Sequence, residues 1–137
     1  MAALTQGITP ARRGAPPNAG IFGGPVAPGE TIWRGGIICW NASGQLQRLQ
    51  TAGSVSFAGM ASKDYNNSAS AAAASVGMEA LKGVFALTVP SATPANINAS
   101  VYATDDATLT LTASTNMLVG TLAGIENGQT YVKLLGT

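Results

Sequence analysis

The chain is expected to be all-β: a small antiparallel β-sandwich or barrel of jelly-roll-like kind, preceded by an extended N-terminal arm. Three observations predict this. Apolar residues recur at period two in short segments bounded by Gly, Pro, Asn and Asp. An Asn127-Gly128 dipeptide between two such segments marks a tight hairpin, because both residues tolerate positive φ. The chain also aligns with itself: Ile37 to Ala61 matches Ala99 to Ala123 at an offset of about 62, with Trp40 on Tyr102, Leu49 on Leu111 and Phe57 on Val119, while Gly59 meets Gly120. Each copy reads strand, polar turn, strand, short link, strand, and each is followed by one further strand. Residues 31 to 137 therefore read as a single β domain built from two similar halves.

Length and composition bound what such a domain does. With 137 residues the chain suits one domain with an ordinary core. Hydrophobic residues make up 46% and charged residues only 9%, so the surface is polar without being charged and favours assembly over dilute monomeric life. Seven Lys or Arg against six Asp or Glu leave a formal net charge of +1, which provides no field for nucleic acid or anionic lipid. No apolar run approaches the roughly 20 residues that span a bilayer. Cys39 is the only cysteine, so no intrachain disulfide forms; between Ile38 and Trp40 it reads as a small buried hydrophobe.

Taken in order, residues 1 to 30 read as an arm. Pro10, Pro16, Pro17, Pro25 and Pro28 block helix and central strand, and the interleaved glycines offer no side chain to bury. The reading places its apolar anchor at Ile21-Phe22, with Val26 nearby and Arg12 and Arg13 as its cations. Such an anchor is expected to order on another surface, the alternative being a disordered tail or one folded back on its own domain. Removing residues 1 to 28 is then expected to leave the domain folded and weaken partner binding.

Thr31 to Arg34 and Ile37 to Asn41 read as strands, with a bend at Gly35-Gly36. Gln45 to Gln50 follows, with a bulge expected because Leu46 and Leu49 are an odd number of residues apart, and then Val55 to Ala61. Residues 63 to 75 read as a long loop, since four alanines at 71 to 74 do not sustain a helix alone. Val76 to Leu81 and Val84 to Val89 are strands, the second with Phe85, Leu87 and Val89 on one face. After Pro90 and Pro94, Val101 and Ala103 lead into Asp105-Asp106. A three-residue loop there pairs Ala103 with Leu109 and is favoured over a two-residue loop that would set Tyr102 opposite Leu109. At the last hairpin, two-residue closure pairs Ala123 with Val132 and Thr121 with Leu134. It sets Tyr131 opposite Gly124, where its ring is placed to cover bare backbone.

Residue chemistry points away from catalysis. The chain has no histidine, which excludes a Ser-His-Asp triad and the usual His-containing zinc sites. Adjacent carboxylates at Asp105 and Asp106 point to opposite faces and read as a turn. The glycines at 20, 23 and 24 are followed by no lysine and no helix, so they are not a phosphate loop. Trp33, Trp40, Tyr65, Tyr102 and Tyr131 are the residues a sugar-binding surface would use, although burial is the commoner fate of aromatics on strands. A binding or structural protein without cofactor or metal remains, and no enzyme is expected.

Four segments carry a resemblance. VGMEALKGVFALTVPS (76–91), VYATDDATLTLT (101–112), LVGTLAG (118–124) and TYVKLLG (130–136) occur in the order in which similar segments occur in small decoration, or cement, proteins of tailed-bacteriophage heads. The likeness covers roughly residues 31 to 137; the longer Pro-Gly arm and the Ala-Ser loop near residue 70 depart from it. It implies a virion protein on the outer capsid surface. Such a protein would bridge neighbouring major capsid proteins, associate with itself as a dimer or trimer, and reinforce the shell against packaged DNA. Under that implication the capsid contacts are expected in the arm, at Arg12, Arg13, Ile21, Phe22 and Val26. A carbohydrate-binding module on a head or fibre, and a tail or baseplate β-protein, are the alternatives.

Overall fold

A computed structural model describes residues 3–10, 23–50 and 54–136, with residues 75–77 described by backbone alone. Among these the protein is all-β, a small closed barrel packed against an open five-stranded sheet. In chain order the strands are β1 (Gly23–Val26), β2 (Thr31–Ile32), β3 (Ile37–Trp40), β4 (Leu46–Arg48), β5 (Ser56–Ala61), β6 (Tyr65–Asn66), β7 (Ala74–Leu81), β8 (Val84–Ala86), β9 (Ser100–Ala103), β10 (Leu109–Thr110), β11 (Met117–Glu126) and β12 (Gln129–Leu134). The barrel runs β1-β4-β3-β5-β7 and the sheet β10-β9-β11-β12-β8; β2 and β6 form a separate two-stranded ribbon. The sandwich and barrel alternatives thus occur together in one chain.

The two halves share a strand order, β4-β3-β5-β7 and β10-β9-β11-β12. They share a bulge as well. Ile38 pairs with Gly59 but Cys39 with Phe57, leaving Ala58 extra; Val101 pairs with Gly120 but Tyr102 with Leu118, leaving Val119 extra. Matched through this register, Ile38 corresponds to Val101 and Leu46 to Leu109, both 63 residues apart, whereas Gly59 and Gly120 are 61 apart. The single offset of 62 is therefore corrected to two values. The path from Leu109 to Gly120 is two residues shorter than that from Leu46 to Gly59, and 62 lies midway.

Two cores follow from this arrangement. One fills the barrel, with Val26, Ile32, Ile38, Leu46, Met78 and small alanines. The other lies between barrel and sheet, where Ile37, Cys39, Leu49 and Met60 meet Val101, Val119, Leu122, Val132 and Leu134. β3 alternates between them, Ile37 and Cys39 facing the sheet and Ile38 the barrel, and so is apolar on both faces. Beyond β8, Leu87 and Val89 stay buried, as the sequence pattern predicts. Thr130 fastens that segment to β12: its hydroxyl donates to the Leu87 carbonyl and accepts from the Val89 N–H.

The arm reading is corrected. β1 closes the barrel, pairing antiparallel with β7 and parallel with β4, so the boundary at residue 30 does not hold. Val26 is fully buried. Gly23 and Gly24 are there because backbone has to pass where side chains would not fit: a Cβ on Gly23 would lie 1.6 Å from the Met78 carbonyl oxygen, and one on Gly24 2.8 Å from the Trp40 ring. Pro25 falls in the register shift between Gly24 and Val26, a bulge position where a missing N–H is tolerated. The chain after β1 is clamped by Glu30, whose Oε1 accepts from the Arg48 backbone N–H (3.0 Å) and Nε (2.9 Å). Asn67 adds donations to the Ala27 and Ala72 carbonyls, which orders the start of the Ala-Ser loop without a helix.

The hairpins keep most of their expected register. Ala103 pairs with Leu109, and Thr104 N–H donates to the Thr108 carbonyl across the three-residue loop. At the other end, Asn127 (φ 52°) and Gly128 (φ 78°) form the expected turn, and Gly124 faces Tyr131. A bulge at Ala123 then shifts the rest, so that Leu122 rather than Ala123 pairs with Val132 and Gly120 rather than Thr121 with Leu134. The Tyr131 ring does not cover Gly124, since a Cβ there would meet no atom within 4 Å. Replacing Gly128 by Val is expected to destabilise the domain by about 1–2 kcal/mol, because a β-branched residue is strained at positive φ. Urea denaturation with an unchanged midpoint would contradict this.

Candidate interaction surface

Of the five expected contact residues, Arg12, Arg13, Ile21 and Phe22 lie outside the described residues, and Val26 is core. What the structure builds instead is a groove occupied by residues 3–10, which lie as a strap over the start of β3. Its floor is the Gly35-Gly36 pair that the sequence reading takes only as a bend. A Cβ on Gly35 (φ 81°) would stand 2.5 Å from the Ile8 carbonyl oxygen, and one on Gly36 3.0 Å from Leu4 Cδ1. The glycines thus admit the strap against backbone.

Among the described residues, three hydrogen bonds hold it. Leu4 N–H donates to Asp106 Oδ1 (3.0 Å), Ile8 N–H to the Arg34 carbonyl (2.7 Å), and Arg34 Nε back to the Ile8 carbonyl (3.3 Å). Asp64, beside Gly7 of the strap, supports Arg34 by accepting its N–H (2.7 Å). Apolar space remains to either side of Ile8. One cavity of about 340 Å³ is bounded by Leu4, Ile37, Leu87 and Leu109; the other, about 420 Å³, by Pro10, Met60, Leu81 and Phe85. Ile8 borders both and is still 38% exposed.

Asp105 and Asp106 divide the work of their turn. Asp105 folds back on its own loop, accepting from the Ala107 and Thr108 N–H groups (2.9 and 2.8 Å). Asp106 is 2% exposed beneath the strap, and its Oδ2 has no hydrogen-bond partner among the described residues. Burial pushes the Asp106 carboxyl up, with Asp105 adding to the rise and the Leu4 N–H and Arg48 opposing it. A carboxyl whose folded pKa exceeds its unfolded value binds its proton more tightly when folded. Its contribution is therefore most favourable below about pH 4 and is lost as pH rises through the raised folded value. Asp106→Asn keeps an acceptor for Leu4 and removes the buried charge. It is expected to raise stability at pH 7 by on the order of 1 kcal/mol, roughly 3 °C in Tm, and to flatten the dependence above pH 4; thermal melts across pH with an unaltered slope would contradict the assignment.

The sequence reading missed Leu4, Ile8 and Asp106. Leu4 and Ile8 are the only signal it had, two apolar residues in a polar segment whose neighbours Gly7 and Pro10 mask them. The other candidates do not converge on a site. Cys39 is buried, bonded to Ser54 Oγ, and burial raises its thiol pKa, as suits a core residue. All five Trp and Tyr rings are half-buried. Trp40 and Tyr65 pack on the barrel core, while Tyr102 pairs with Leu118 and Tyr131 with Gly124, about 20 Å apart along β11. Among the described residues no group of three or more His, Cys, Asp or Glu is placed to hold a metal ion, and no helix is long and apolar enough to cross a membrane. Comparison of the chain with protein-family models, curated proteins and solved structures returns no match.

Proposed function

We propose that this protein is a structural component of a phage virion. It binds the outer surface of an icosahedral capsid, cements neighbouring major capsid proteins and stabilises the shell against packaged DNA. The observation that carries the reading is where the four resembling segments fall. The first spans most of β7, a barrel strand, and all of β8, and the others form β9–β10, most of β11, and β12. They therefore supply the whole five-stranded sheet together with one barrel strand, although the sheet's strand order does not follow the chain. A low density of charge suits a surface that meets other protein. Weak single contacts suffice when many copies act on a fixed lattice. In this reading Arg12, Arg13, Ile21 and Phe22 are the arm's contacts with the capsid protein and Val26 is not one.

The test is to add purified protein to undecorated heads filled with DNA and then heat them. Saturable binding in hundreds of copies, with a higher temperature of DNA release, is expected. No gain in shell survival overturns the cement role.

A further inference from the structure

We propose that the groove over Gly35-Gly36 is a seat for the N-terminal strap of a second copy of this chain, so that neighbouring copies are linked by exchange of residues 3–10. The inference deepens the many-copy reading above and rests on it only for its setting on a lattice.

Everything that recognises the strap belongs to any copy of the domain: the Asp106 carboxylate, the Arg34 backbone and side chain, and the two floor glycines. A strap from a neighbour finds the same partners, so exchange changes the connectivity and keeps the contacts. Chain length permits it. Twelve residues, 11–22, separate Pro10 from Gly23. Fully extended they reach ~40 Å, against a radius of gyration of roughly 14 Å for a compact domain of this size.

The strap is held only lightly in its own seat, so it is free to leave for another. Ile8 is 38% exposed between two cavities, and Asp106 Oδ2 is buried without a donor. The groove is lined by the starts and ends of elements from both barrel and sheet, namely β3, β5, β8 and the β9–β10 turn. A neighbour's strap would therefore bind a whole domain rather than one edge.

The experiment uses full-length protein without heads, so its failure is separable from failure of capsid binding. A Cβ on Gly7 lies 3.2 Å from Arg34 Cβ, near the ~3.8 Å of a disulfide. One population carries Cys39→Ala and Gly7→Cys. The other carries Cys39→Ala, Arg34→Cys and Asp64→Ser, the last because Asp64 Oδ1 would stand 2.3 Å from the new Cβ. The two are mixed at equal concentration and oxidised with glutathione disulfide. A covalent heterodimer whose yield rises with concentration is expected. A single chain carrying all four changes shows whether the cysteines meet: closure wholly within that chain, with no heterodimer in the mixture, overturns the proposal. Where the cysteines do not close at all, sedimentation of the unmodified protein decides. Self-association weakened at least tenfold by Ile8→Asp supports exchange; a monomer up to millimolar concentration, or association indifferent to Ile8→Asp, overturns it.

Discussion

Deletion of residues 1–28 is expected to abolish cooperative folding, whereas deletion of residues 1–10 leaves a folded domain. The longer deletion removes β1, which closes the barrel by pairing with both β4 and β7. It takes away the fully buried Val26, worth about 1.5–3 kcal/mol in burial alone. It also opens the barrel core, exposing Ile38, Leu46 and Met78 and leaving ladder groups of two neighbouring strands unpaired. Together these approach the 5–15 kcal/mol by which a domain of this size is stable. The shorter deletion removes three hydrogen bonds and two partly exposed apolar side chains, a loss of about 1–3 kcal/mol. Circular dichroism and limited proteolysis separate the cases. A two-state melt for the longer deletion would show that β1 is dispensable, and an unfolded shorter deletion would make the strap part of the core.

That contrast marks where the sequence was informative. Tight local signals were legible: Asn127-Gly128 formed its turn, the Asp105 loop closed over three residues, and Phe85, Leu87 and Val89 faced one core. The repeat was visible because both halves build the same four-strand order on similar turns. Features set by close approach between distant strands were not. Gly23, Gly24 and Pro25 have the composition of a linker, yet they fit a strand passing within contact of the Met78 backbone and the Trp40 ring, a condition no local pattern encodes. The same strand explains why one half closes into a barrel while the other stays open: β8 lies antiparallel beside β12 as β1 does beside β7, but only β1 also pairs with the far strand of its half, β4. Bulges were misplaced for a related reason: the one expected between Leu46 and Leu49 is absent, because Leu46 faces the barrel core and Leu49 the sheet, while the surplus residues Val119 and Ala123 are shown only by their pairing partners. Asp106 read as half of a polar turn because its burial depends on Leu4, about a hundred residues away.

Gly120→Ala is expected to be among the most damaging single-methyl additions in the described chain, and Gly124→Ala among the mildest, although both lie on β11 opposite β12. At Gly120 the new Cβ would stand 2.2 Å from the Lys133 carbonyl oxygen and 3.1 Å from Leu134 Cα, which are backbone atoms of the paired strand and have no rotamer to change. Relief requires β12 to move away, breaking the Gly120–Leu134 and Thr121–Lys133 pairs and uncovering Val119, Val132 and Leu134 in the core between barrel and sheet. A loss of about 4 kcal/mol or more follows, the range reserved for such backbone and packing failures. At Gly124 the Cβ would meet nothing within 4 Å, and alanine there is expected to change stability by less than about 1 kcal/mol, with the lower unfolded-state entropy acting in its favour. Gly59 supplies an independent check, because it holds the matching bulge position in the other half. Its Cβ would stand 2.7 Å from the Leu81 carbonyl oxygen, at a φ of 154° that already disfavours a side chain. Urea melts should therefore group Gly59→Ala with Gly120→Ala and apart from Gly124→Ala; similar midpoints for all three would mean that these glycines do not mark the close crossings of β7 and β12.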